Sequence, residues 1–389
     1  MKIPNGWKKV KFGDVVNKVN DKVQNREEWT FERYIGGQHF DEGEIRVTKS
    51  SSIKGNEEVI GSAFHMKFKP GHVLYVTRNP RLRKGGMVDF EGVCSNVSFV
   101  MQADETQLLQ SLLPFIIQTE DFVMHTCNNA HGSTNPFLNW KDIANYEFLL
   151  PPIEEQKKIS EVLWSLENNV KDLEKMYQKQ TLLFKKLTKN LYSKEKNRVK
   201  IKETTSLIQY GLSIPLNEKG KYPILKMDNL ERGEIKKSGL KYADLLDKDF
   251  KKFKLEKGDV LFNRTNSIEH VGRTALFNLE DNFAFASYLI RLKPDKKKIL
   301  PEYLTQYLIR FNKDLKRFAT LGVHQANINA KSLGNYKIPL PEISKQNEIV
   351  EIFNTLLVRK KILYKTKENL KNLRNKLSNE FLSGKLKLK

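Results

Sequence analysis

Cysteine is nearly absent: Cys94 and Cys127 are the only two in 389 residues. With no metal-ligand spacing between them, they exclude a disulfide framework and a zinc cluster, and read as buried thiols. No apolar run approaches the roughly 20 residues that cross a bilayer, and no signal peptide is evident, so the expectation is a soluble, cytoplasmic protein with no membrane partner. The phosphate-cradling pattern G-x-x-x-x-G-K-[ST] is missing, and "KGGMV" (residues 84–88) fails it. Seven histidines are scattered, none in an H-E-x-x-H or Cys/His ligand arrangement. "TNPF" (residues 134–137) lacks the second proline of the Asn/Asp-Pro-Pro-aromatic motif with which adenine methyltransferases grip an amino group, and reads as a chance match. No catalytic residue, metal site or cofactor site is expected.

What is present is apolar and basic. Hydrophobic residues make up 39%, with 22 Phe and 13 Tyr, enough for real cores in two or three domains. The formal net charge is +22, from 68 Lys+Arg against 46 Asp+Glu. That excess is either a Lys-rich surface that merely solvates the fold or a footprint for a polyanion. Composition does not choose between them.

Repetition organises the chain. "GHVLYVTRNPRLRKGGMVDF" (residues 71–90) aligns without a gap on "GDVLFNRTNSIEHVGRTALF" (residues 258–277), matching Gly71/Gly258, Val73/Val260, Leu74/Leu261, Asn79/Asn266, Gly85/Gly272 and Phe90/Phe277. "NWKDIANYEFLLPPIEEQKKISE" (residues 139–161) aligns on "NAKSLGNYKIPLPEISKQNEIVE" (residues 329–351), matching Asn139/Asn329, Tyr146/Tyr336, Pro151/Pro341, Gln156/Gln346 and Ile159/Ile349 among others. The copies are too long for a solenoid and imply two homologous globular units, each followed by a long segment.

That segment is helical. Apolar residues fall at Ile159, Leu163, Leu166, Val170, Leu173, Tyr177, Phe184, Leu187 and Leu191, in steps of four and three broken at Gln180. This is a heptad seam. The second copy carries Ile349, Phe353, Leu356, Leu363, Leu370, Leu377 and Phe381, with Lys360, Lys367 and Arg374 in the same frame, so its seam is the weaker. Each helix should run about 35 residues, or about 50 Å. A lone helix of this kind is marginal in water. Antiparallel pairing of the two is the economical solution, and a partner helix in another chain is the alternative.

Within each unit the pattern is α+β, with strands at residues 73–76, 98–101, 260–262 and 288–292 and helices at 107–118 and 301–318. The expected division is 1–150, 151–195, 196–340 and 341–389, alternating globular domain and long helix.

The matched hairpins keep their apolar frame and vary the polar filling. Arg can bridge guanine O6 and N7, Asn and Gln can bridge adenine, and Lys grips phosphate, so such loops suit DNA readout. Duplicated surface turns with solvated tips are the bland alternative, and a basic scaffold without sequence preference is another.

Taken together, "YIGGQHFDEGEI", the two hairpins, "LLPPIEEQKKI", "IPLPEISKQNEIV" and the ending "FLSGKLKLK" resemble the specificity subunit of type I restriction–modification systems over essentially the whole chain. Two departures stand out: Glu342 and Ser344 replace the more usual Pro-Pro-x-Glu, and "VTRNPRLRK" begins unlike the family's common loop. The resemblance implies two target recognition domains alternating with two long helices packed as an antiparallel coiled coil. Each domain would read half of a bipartite site in double-stranded DNA. The helices would dock two methyltransferase subunits, and restriction/motor subunits would complete the enzyme. S-adenosylmethionine, ATP and Mg would sit on those partners. Three contact groups are expected in each unit. The hairpin tips offer Arg78, Asn79, Arg81, Arg83 and Lys84 in one copy and Asn263, Arg264, Thr265, Asn266, Ser267, His270 and Arg273 in the other. A second group offers Gln38, His39 and Asn229, and a third Ser133, Thr134, His324 and Gln325.

Overall fold

The computed structural model describes residues 3–267, 270–318, 320–321 and 326–387. The chain forms two compact units, one of residues 1–176 with 363–389 and the other of residues 177–362. Each unit repeats one scaffold. In the first, an antiparallel sheet runs in the order Val16–Val19, Ser98–Ala103, Val73–Val76, Gly85–Met87. In the second, Thr205–Tyr210, Leu289–Pro294, Val260–Asn263 and Thr274–Leu276 follow the same order. Each unit also has a smaller mixed sheet with one parallel pair: Arg33–Ile35 beside Gly92–Ser95, and Tyr222–Leu225 beside Ala284–Phe285. The rest of the pairing is mainly antiparallel, as expected for α+β.

The first strand of each hairpin, Val73–Val76 and Val260–Asn263, lies inside its sheet, and the second forms an edge. Side chains alternate between faces along a strand. Val73 and Tyr75 enter one apolar cluster, and Leu74 and Val76 enter another. Val260 and Phe262 part from Leu261 in the same way. Both faces are covered, so the strands read as unbroken apolar runs.

Two long helices, Ile153–Ser193 and Ile343–Leu382, have 41 and 40 residues, or about 60 Å each. They pair antiparallel, each unit holding part of both. In the first unit Glu167 meets Arg374, and Glu174 meets Lys367 at 2.9 Å. In the second, Lys360 lies over the Tyr177 ring, Gln180 donates to the Leu356 carbonyl at 2.8 Å, and Phe184 packs on Phe353. Ile159, Leu163, Val170, Phe353 and Leu356 are buried, while Leu166, Leu173, Leu187, Leu363, Leu370 and Leu377 are half-buried. The polar seam residues that weakened the second copy therefore all find partners. Glu167 is buried where an apolar residue is ordinary, and burial pushes its carboxyl above the usual range against the pull of Arg374.

The start of each helix is fastened by one glutamine. Gln156 is fully buried; its Oε1 accepts from the Leu109 N–H, and its Nε2 donates to the carbonyls of Gln107 and Pro151. Gln346 repeats the arrangement with Leu300, Lys298 and Pro341. One buried amide thus satisfies three main-chain groups.

Several local expectations need correction. Residues 107–118 are mostly turns, with an α-helix only at Leu113–Ile116. Pro114 supplies no N–H, and the Gln110 side chain caps Ala103 and Gly71 instead. A helix at Glu120–Asn128 went unforeseen. The helix expected at 301–318 breaks after Pro301–Arg310, where Phe311 leaves helical geometry and stacks on Tyr307 at 4.5 Å. Cys94 is buried, with its thiol pushed up to about 12 by burial, but Cys127 is exposed. Among the described residues no helix is long and apolar enough to cross a membrane.

The glutamine fastening is directly testable. Gln156→Ala or Gln346→Ala removes three main-chain hydrogen bonds and empties a buried side-chain site, and should cost about 2–4 kcal/mol in urea unfolding of the altered unit. A midpoint within error of the parent would show that water replaces the amide.

Candidate nucleic-acid interface

In the first unit the strand Val73–Val76 carries the chain out of the core, where the Thr77 hydroxyl donates to the Val97 carbonyl at 3.0 Å. The tip is a 3-10 turn, Pro80–Leu82, flanked by Asn79 and Arg83, both at φ 51°. Non-glycine residues pay about 1–2 kcal/mol each for left-handed backbone, so other contacts must hold the turn. Asn79 supplies two: its N–H donates to the Pro136 carbonyl at 2.7 Å and its Nδ2 to Asn135 Oδ1 at 2.9 Å. Arg83 makes a two-pronged ion pair with Glu120 at 2.7 and 2.5 Å. This bonding raises the guanidinium pKa and lowers that of the carboxyl.

The three expected contact groups meet here. Arg78 lies over the Phe137 ring and donates to the Asn135 carbonyl at 3.3 Å, tying the hairpin to the loop of Ser133 and Thr134. Lys84 donates to the Gly37 carbonyl at 3.3 Å, tying it to the loop of Gln38 and His39. Arg78, Arg81, Gln38, Ser133 and Thr134 are exposed.

The second unit builds the same junction with different side chains. Thr265 and Asn266 pair with Ala326–Asn327, as the tip of the first unit bridges to Phe137. Arg264 is fixed on three sides: Nε donates to the Ser287 carbonyl at 2.9 Å, Nη1 to Asn327 Oδ1 at 3.1 Å, and its plane lies over the exposed Tyr210 ring. Arg273 is exposed and meets His270 Nδ1 at 2.6 Å. Ser267 is exposed. Arg273 borders a cleft of about 500 Å³ with Asp228, Arg232, Lys236, Gly272 and Asn312, which brings the second contact group beside the hairpin. His324 and Gln325, and the side chain of Asn266, lie outside the described residues.

Three of the expected readers are committed inward. The Gly36 N–H donates to His39 Nδ1 at 2.8 Å, which leaves Nε2 to donate to Ser51 Oγ at 2.9 Å. In the matching place Asn229 Oδ1 accepts from the Lys226 N–H at 2.8 Å, and its amide donates to the carbonyls of Lys236 and Ser238. Asn263 is fully buried and donates to the His270 carbonyl. A base edge needs a side chain at the surface, and these three brace the loops instead. The neighbours Gln38 and Asp228 are the exposed members of their turns. Tyr210 went unnoticed in the sequence; Asp228, Asn135 and Asn327 stood within the expected contact segments 226–229, 131–135 and 322–327 without being singled out, and the Gln38/Asp228 alignment was the available signal for the first.

The profile of the type I restriction modification DNA specificity domain matches residues 4–183 and again 195–372. The chain belongs to this family. Among similar curated proteins are two specificity subunits from Methanocaldococcus jannaschii. The MjaX protein, called a putative subunit, is 34% identical over 40% of this chain and 37% of its own length. The MjaVIII protein is 25% identical over 67% of both. The EcoKI specificity subunit of Escherichia coli is 26% identical over 52% of this chain and 48% of its own length. The chain thus spans between a third and two thirds of these relatives. A solved chain from a study of type I restriction–modification complex assembly superposes with a TM-score of 0.64 at 20% identity, covering 99% of this chain and 100% of that one. The S subunit from M. genitalium gives 0.61 at 15% identity over 98% of both. At these identities the likeness concerns the fold.

The His39 brace has a pH signature. Burial, with Lys49 nearby, holds its pKa below the ordinary value. A group lowered on folding contributes stability above its unfolded pKa, near 6.5, and that stability is lost as pH falls through the lower folded value. In NMR the His39 ring should titrate below that ordinary value, and the Gly36 amide should lose exchange protection over the same range. Titration at or above it would refute the brace.

Proposed function

We propose that the chain is the non-catalytic, sequence-reading subunit of a type I restriction–modification complex in the cytoplasm. Each unit reads one half of a bipartite, asymmetric target in double-stranded DNA. The observation that carries this reading is the duplicated three-loop junction: two copies share strands, turns and braces, yet present different exposed side chains. A surface kept only for solubility has no need of matched frames with altered fillings. In the first unit the readers are Arg78, Arg81, Gln38, Ser133 and Thr134. In the second they are Arg264, Thr265, Ser267, Arg273 and Asp228, with Asn266, His324 and Gln325 as further contacts. The net charge of +22 supplies the sequence-independent grip on phosphate.

The long helices dock two methyltransferase subunits, and restriction/motor subunits join that assembly. Supporting the docking role, Leu182, Leu183, Leu357, Val358 and Ile362 in the second unit are between 46% and 58% exposed on the outer faces of the helix pair. S-adenosylmethionine, ATP and Mg belong to the partners. The adenine to be methylated leaves the stack only in the assembled complex.

Selection from random DNA with the methyltransferase complex should enrich two short half-sites separated by a fixed gap. Arg264→Ala should relax one position by about 1–3 kcal/mol. Steep salt dependence with no enriched sequence would instead identify a non-specific scaffold. Deleting one heptad from both long helices should change the preferred gap or abolish binding; an unchanged gap would remove the helices from any role in spacing.

A further inference from the structure

Arg83 has the position of a DNA contact, beside the tip turn of a recognition hairpin, but its hydrogen bonds point the other way. Its guanidinium is held by both oxygens of Glu120. Its carbonyl accepts from the Gly43 N–H at 3.2 Å and from Gln118 Nε2 at 3.1 Å. Its φ of 51° makes the turn depend on those restraints.

Each restraint leads to the second long helix. The Glu120 N–H opens the helix Glu120–Asn128, where main-chain donors lack partners within the helix. Asn379 Oδ1 accepts from it at 2.8 Å, while the Asn379 amide donates to the Asn375 carbonyl. The Gly43 carbonyl accepts from Arg374 Nη2 at 3.4 Å, and Arg374 is itself locked by Glu167. Glu44, next in sequence, pairs with Lys371 and offers its carbonyl to Gln118 at 3.2 Å. Three residues of the last helical turns therefore converge on one residue of the hairpin. All of these contacts lie within the first unit. In the second unit the residue aligned with Arg83 is His270, which meets Arg273 and, among the described residues, has no such carboxylate clamp.

We propose that Glu120, backed by Asn379, is a specificity-positioning residue: it holds Arg83 so that the closing turns of the second long helix set the shape of the loop reading the first unit's half-site. The inference rests on the reading of the chain as a DNA-specificity subunit. Arg83 is thereby a strut, and Arg81 and Arg78 are the cations left to face DNA. Carboxylate–guanidinium forks fix orientation as well as distance, which a single contact would not.

The test uses the full chain with its methyltransferase partner and selection from random DNA. Glu120→Gln keeps the size and removes the charge. It should lower discrimination at one half-site by about tenfold, within the range of a lost bidentate reader, and leave the other half-site unchanged. Asn379→Ala, which spares the ion pair, should shift the same bases by a smaller factor. Arg83→Ala combined with Glu120→Gln should be no worse than either alone, because both remove one strut. Glu120→Asp should recover part of the discrimination. Urea midpoints identify any variant that is simply unfolded, and Asn379→Ala carries the test if Glu120→Gln is among them. The proposal is overturned by unchanged discrimination in a folded Glu120→Gln variant, or by additive losses. It is overturned equally if freeing Arg83 tightens binding to all sequences, since Arg83 would then be a DNA contact held in check. A parent complex that enriches no bipartite sequence refutes the functional reading itself, which is a different result from an unresponsive Glu120.

Discussion

The structure depends first on a buried amide. In each unit a proline-led chain turns into a long helix, and a glutamine in the first turn ties that helix to the segment following the central sheet. Gln156 and Gln346, both buried, each have one acceptor and two donors, and each uses them on the same three main-chain positions. Asparagine is one methylene shorter, and glutamate has no donor when ionised. This explains why glutamine stands in both copies although Pro152 and Glu154 give way to Glu342 and Ser344.

The helix pair shows the same preference for defined geometry over maximal burial. An all-leucine seam would bury more apolar area and tolerate slippage by whole heptads. Here Glu167 with Arg374, Glu174 with Lys367, Tyr177 with Lys360 and Gln180 with the Leu356 carbonyl allow one alignment. A buried ion pair often fails to add net stability, and its best-attested use is to specify register. What reads in the sequence as a weakened seam is a registered one.

Much of the architecture was legible beforehand because its signals are periodic or duplicated. The strands expected at 73–76, 98–101 and 260–262 and the paired long helices are all present. The site was less legible, for a physical reason: a short polar side chain in a turn can face solvent or close the turn, and local sequence does not say which. His39 and Asn229 were expected to read bases and instead accept main-chain N–H groups. Arg83 is diverted by Glu120, a residue far along the chain in a helix the sequence pattern did not announce. Residues 107–118 had helical spacing, but Pro114 and the Gln110 side chain overrode it.

The way the units are assembled from the chain also bears on how the molecule comes into being. The second unit is one continuous stretch, whereas the core of the first includes Phe381 and Leu382. On the ribosome the usual order, in which the earlier domain is finished first, is therefore reversed. The stretch ending at residue 362 can close on itself while the older part of the nascent chain still lacks its final wall. A chain truncated before Phe381 would leave the opening half with an unsealed interior, because that side chain and Leu382 belong to its core.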